Sequence, residues 1–117
     1  MSTRVLSLRE KQSIFAENVA HLINYIYSNQ LSCTFGEAHR SVEQAAIYAA
    51  NGKGILNSLH CKRLAIDLNL FSADGKYLTG KSDYEPFGIY WESLNKLNRW
   101  GGNFKRVDSV HFEMQDK

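Results

Sequence analysis

The sequence predicts an α+β fold: a small antiparallel sheet packed against two to three helices. Three observations carry this. Two amphipathic helical segments open the chain, a strictly alternating stretch occupies its middle, and a third helical stripe precedes a short β-like tail.

The first helix begins at Ser7-Leu8-Arg9-Glu10, where serine and glutamate form a capping box that satisfies orphan backbone donors. Leu8, Phe15, Val19, Leu22, Ile23 and Ile26 then recur at helical spacing, to about Ser28. A second box, Ser41-Val42-Glu43-Gln44, opens a helix through Ala45, Ala46, Ile47 and Tyr48, which stops near Asn51-Gly52. A turn with Gly52 and Gly54 leads to residues 63–70, where Leu64, Ile66, Leu68 and Leu70 alternate with Arg63, Ala65, Asp67 and Asn69. That is a half-buried strand with Asp67 on its polar face. Asp74-Gly75 turns toward a short partner around Lys76 to Leu78. A third helix is expected after Pro86, with Phe87, Tyr90, Trp91, Leu94 and Leu97 as its stripe, and residues 107–114 read as a final strand.

At 117 residues the chain reads as one domain, 1–117, long enough to bury a core without staples. The net charge of +2 and the scattered lysines and arginines argue against a nucleic-acid partner. No apolar run is long enough to span a membrane. Met1 to Glu10 shows no secretory pattern, so the chain is expected to remain in the cytoplasm until something releases it. Cys33 and Cys61 are too few for a disulfide framework and read as free thiols.

His60 lies seven residues before Asp67, and Asp108-Ser109-Val110-His111 supplies a second acid and histidine. Catalytic zinc commonly takes three N/O ligands and keeps a fourth position open; His60, Asp67 and His111 meet that count. Asp108 is then placed to move the proton of an activated water, and Arg40 to hold a developing oxyanion. On spacing alone a second reading stands beside this one: a solvent-facing strand aspartate and an ordinary half-buried histidine. Residues three apart in a strand face opposite sides, so Asp108 and His111 converge only if the strand starts after Asp108. His21 and His39 read as solvated side chains, Trp91 as core, and Trp100 as core rather than cleft lining.

Ser58-Leu59-His60-Cys61-Lys62-Arg63-Leu64-Ala65-Ile66-Asp67 resembles the SxHxxGxAxD signature of the zinc D-alanyl-D-alanine carboxypeptidase and L-alanyl-D-glutamate peptidase family. That family shares its fold with the hedgehog signalling domain. Asp108 to Glu113 resembles its closing acid-x-x-His motif, and Gly36 to Gln44 its upstream Arg-Ser/Thr-x-x-x-Gln region. Arg99-Trp100-Gly101-Gly102-Asn103-Phe104 is similar to a stretch of its phage endolysin members. The resemblance implies a hedgehog/D,D-peptidase type fold, with Zn2+ held by His60, Asp67 and His111. It implies Asp108 as general base, Arg40 at the substrate carbonyl or the intermediate, and Gln44 and Ser58 toward substrate. Glu113 would be a fallback base, more at home on the surface. Two departures stand out. Arg63 occupies the signature glycine, and Asp108 is the shorter acid of the endolysin branch, which cuts stem peptides between L-Ala and D-Glu.

The expected protein is therefore a monomeric phage or prophage endolysin, a peptidoglycan peptidase cutting L-Ala–D-Glu that reaches the wall only after the membrane is permeabilised. A D-Ala-D-Ala carboxypeptidase and a non-catalytic zinc-stabilised wall-binding module are the rival expectations.

Overall fold

The structure, a computed structural model, describes residues 5–52 and 58–117. Helix α1 (Leu8–Ser28) starts at the expected capping box: Ser7 Oγ accepts from the Glu10 N–H, and the Glu10 carboxylate accepts from the Ser7 N–H. Phe15, Leu22 and Ile26 form its buried stripe. Strand β1 (Ser32–Phe35), absent from the sequence reading, follows. Four residues are too few to show a period, and what makes them a strand is antiparallel pairing with β2 (Ala65–Phe71), from Ser32↔Phe71 to Phe35↔Leu68.

Helix α2 (Val42–Ala50) is capped by Ser41, whose Oγ accepts from the Gln44 N–H at 3.0 Å. It ends at Asn51, with Gly52 at a φ of 70°; Gly54 lies outside the described residues. Arg40 precedes the cap. It is therefore not on the helix, and no helical turn relates it to Gln44.

A 3₁₀ turn (Leu59–Lys62) leads into β2. Leu64, Leu68 and Leu70 are fully buried, while Asp67 and Asn69 face the other way, half-buried. Arg63, expected as the first strand residue, instead closes the turn in the left-handed region at a φ of 56°. The Asp74-Gly75 turn forms with Gly75 at a φ of 87°, and its far side reduces to a Phe71↔Tyr77 bridge and a Leu78 N–H to Leu70 carbonyl bond.

Helix α3 (Lys81–Leu94) begins before Pro86 rather than after it. The Gly80 N–H donates to the Asp83 carboxylate and braces the first turn, and Pro86 sits on the exposed side, where the carbonyl lacking an amide partner can be hydrated. Strand β3 (Asn98–Trp100) was likewise not legible, and β4 (His111–Met114) is shorter than the expected 107–114. The sheet runs β1-β2-β4-β3 with every pair antiparallel.

The core lies between one face of this sheet and helices α1 and α3. Phe15 meets Trp91 edge-on, Trp91 meets Phe112, and Leu22, Ile26, Ile66, Tyr84 and Phe87 fill the rest. Trp100 is 1% exposed, in the core as read from the sequence. Because side chains alternate along each strand, burying Ile66, Phe112 and Trp100 on this face sends Asp67, His111, Glu113 and Arg99 to the opposite one.

Candidate active site and metal centre

On that opposite face the register sets the site. Asp67 and His111 are Cα partners across β2 and β4, and Glu113 is opposite both Ala65 on β2 and Arg99 on β3. His60 arrives from the 3₁₀ turn, whose start is fixed by Ser58: the buried Oγ accepts from the His60 N–H at 3.2 Å. The His60 carbonyl in turn accepts from the Arg40 N–H at 3.2 Å, tying the turn to the segment ahead of α2.

Three ligand-type atoms converge. His60 Nε2 stands 3.2 Å from His111 Nδ1 and 3.3 Å from Asp67 Oδ1, and His111 Nδ1 stands 3.2 Å from the same oxygen. Two ligands ~2.0–2.1 Å from a tetrahedral zinc would lie about 3.3–3.4 Å apart, so all three sides of the triangle fit such an ion. The chemistry fits as well. The carboxylate oxygen only accepts, and two imidazole nitrogens cannot both donate to it and satisfy each other, whereas one shared cation serves all three. These residues also form the group of His, Cys, Asp and Glu side chains close enough to hold a metal among the described residues.

The outer nitrogens are occupied too. His111 Nε2 is 2.7 Å from Glu113 Oε1, and His60 Nδ1 faces the Ala38 carbonyl at 3.5 Å and Glu37 Oε1 at 3.7 Å. Burial alone would raise the Asp67 carboxyl and lower the His111 imidazole. The hydrogen bonds and charges inside the cluster reverse both: Asp67 is held at about 2, and His111, between Asp67 and Glu113, is pushed up to about 9.

Asp108 sits in the turn entering β4, which does start after it, and it lines the same cleft of about 890 Å³ as His60, Asp67, His111, Arg40 and Ser58. Burial, then the charge of Asp67, raises its carboxyl pKa. The turn is held from below. Asp108 N–H donates to the Gly101 carbonyl at 2.9 Å, and Trp100 Nε1 donates to the Ser109 carbonyl at 2.7 Å. A Cβ on Gly101 would stand 2.2 Å from the Asp108 carbonyl oxygen, and one on Gly102 2.1 Å from the Trp100 ring, which explains the Trp-Gly-Gly sequence.

Arg40 reaches the cleft wall with its guanidinium in an ion pair to Glu37 and 5.0 Å over the Tyr48 ring. Gln44, half-buried on α2, is not among the described residues lining the cleft. Cys61, His21 and His39 stay outside the cluster. Glu113 corrects the sequence reading: it is 5% exposed and bonded to His111 and Arg99, not a surface acid. Its i, i+2 relation to His111 on one strand face was the available signal. Glu37 was also missed. It comes to the site because its carbonyl accepts the Asp67 N–H, a long-range bond with no local signature.

The fold is similar to that of the L-Ala D-Glu endopeptidase ChiX of Serratia marcescens, with a TM-score of 0.72 at 19% identity over 86% of this chain and 77% of that one. A search of curated proteins gives no match. The sequence profile described as D-alanyl-D-alanine carboxypeptidase matches residues 51–114, which span the turn of His60, the strand of Asp67 and the strand of His111. This chain belongs to that peptidase family.

Proposed function

We propose that this protein is a zinc-dependent hydrolase of peptidoglycan stem peptides that cuts between L-Ala and D-Glu. The observation that carries the reading is the His60, Asp67, His111 triangle, of zinc-ligand dimensions, opening on a cleft that Asp108 also lines. When bound, zinc supplies a Lewis acid and makes water a competent nucleophile near neutral pH. Asp108 takes the proton of the attacking water and returns it to the leaving amine; its raised pKa suits a group that must both accept and release a proton. Arg40, held by Glu37 and Tyr48, offsets charge developing on the substrate carbonyl oxygen. Ser58 acts beside substrate from the cleft wall.

The shorter acid at position 108, the likeness to an L-Ala D-Glu endopeptidase and the cationic rim support the chosen bond. Arg106 and Lys117 line the rim and have no ion-pair partner among the described residues, which suits a substrate rich in carboxylates. The family's own description favours a second reading, removal of a terminal D-alanine, and the products separate the two. In keeping with a lytic role, we place the protein in the host cytoplasm before lysis, with the wall as its substrate afterwards.

Asp108→Ala tests the assignment. Zinc content should match the parent protein while hydrolysis of purified peptidoglycan falls about 10²-fold or more. Wild-type turnover in the zinc-loaded variant would remove Asp108 from the reaction.

A further inference from the structure

Resting on the metal-centre reading above, we infer that Glu113, braced by Arg99, is a positioning residue that fixes His111 with Nε2 carrying the hydrogen and Nδ1 bare toward the centre. A neutral imidazole has one donor and one acceptor nitrogen, and a ligand nitrogen must offer its lone pair. His111 Nδ1 points at Asp67 Oδ1 and His60 Nε2, 3.2 Å from each. The opposite nitrogen lies 2.7 Å from Glu113 Oε1, and an ionised carboxylate can only accept, so Nε2 must donate.

Glu113 is itself held so that this acceptor cannot turn away. Its Oε2 takes Arg99 Nε at 2.9 Å and Nη2 at 2.5 Å, leaving Oε1 for the histidine. The Glu113 backbone carbonyl accepts from Trp91 Nε1 at 2.9 Å, anchoring the main chain independently of the carboxylate. The carboxylate is almost fully buried, and Arg99, its cross-strand partner, supplies the charge that makes this tolerable. His60 has no equal: its outer nitrogen meets only the longer contacts to Ala38 and Glu37.

The rival account is an ion pair that merely fastens β3 to β4, and the two accounts predict opposite orders of damage. In Glu113→Gln the amide oxygen must stay with Arg99, which has only donors, and the NH₂ then turns toward His111. Nε2 becomes an acceptor and the hydrogen moves to Nδ1, the ligand atom. The isosteric change should thus weaken zinc binding by about 10–100-fold, and more than Glu113→Ala, where water can serve Nε2. A fastening role predicts a harmless glutamine and a harmful alanine.

The experiment titrates zinc into the folded variants against a competing chelator and records ¹⁵N spectra of the His111 ring in the zinc-loaded wild type. The inference expects Nε2 protonated in the wild type and glutamine the weaker binder of the two. Wild-type zinc affinity in Glu113→Gln overturns it, as does a wild-type His111 protonated at Nδ1. Arg99→Ala removes a side chain that is half exposed, and should lower affinity several-fold by freeing Oε2. If the glutamine protein does not fold, unchanged affinity in Arg99→Ala overturns the inference instead. A wild type that takes up no zinc would overturn the metal reading and this inference together; a wild type that binds, with variants that bind equally, overturns this inference alone.

Discussion

Asp67 and His111 hold each other in opposite charge states, and that sets what metal loading must do at neutral pH. His111 is raised to about 9, so the metal-free ring is protonated at pH 7 and must shed its proton before Nδ1 can act as a ligand. Zinc uptake at pH 7 should therefore release about one proton from this pair, measurable as a calorimetric heat that scales with buffer ionisation enthalpy. A heat independent of buffer would contradict it. The same shifts give the metal-free protein its pH profile. His111 titrates above the ordinary imidazole value of 6.5, so its contribution is full below pH 6.5 and lost as pH rises through about 9. Asp67 titrates below the ordinary aspartate value of 3.8, so its contribution is present above pH 3.8 and lost as pH falls through about 2. Arg63 makes a separate point at this scale. Its φ of 56° is a conformation in which Cβ crowds the following carbonyl, and it falls where the family signature carries glycine. The left-handed turn it closes is the one that presents His60. Arg63→Gly should raise stability by about 1 kcal/mol, read as a higher denaturant midpoint; a lower midpoint would mean that Arg63 makes up the strain elsewhere.

At the scale of elements, legibility followed locality. Helices α1 and α2 announced themselves through Ser7, Glu10 and Ser41 and through apolar spacing, and β2 through the alternation over residues 63–70. Strands β1 and β3 have four and three residues, and only partners far along the chain make them strands. The start of α3 was misplaced because a proline favours a first turn, whereas the bond from Gly80 to Asp83 sets the beginning ahead of it. The β3–β4 connection shows how an element carries a site. Trp100 packs into the core over Gly88 and Gly102, its indole N–H holds the Ser109 carbonyl, and Gly101 lets the Asp108 backbone come close. Gly101→Ala should cost about 1–3 kcal/mol by overpacking and displace Asp108 from the cleft. Thermal melts together with hydrolysis rates check this, and a variant with parental melting and activity would show that the approach is not required.

For the whole molecule, one alternation divides the work. The face of the sheet toward α1 and α3 carries Ile66, Phe112 and Trp100; the other carries Asp67, His111, Glu113 and Arg99. A stable core thus supports a cluster of charged groups that contributes little apolar burial. His60, Asp67 and His111 were legible because a motif with fixed spacing maps onto a turn and two paired strands. Glu113 was within reach of the same strand periodicity but was read as surface, and Glu37 depends on a tertiary hydrogen bond that no local pattern encodes. The measurement that tests the central claim most directly is mass spectrometry of diaminopimelate-type muropeptides incubated with the zinc-loaded protein, beside a chelated control. The account predicts fragments split between L-Ala and D-Glu that vanish on chelation. Intact muropeptides from protein with confirmed zinc would contradict it, and release of free D-alanine alone would move the cut to the end of the stem.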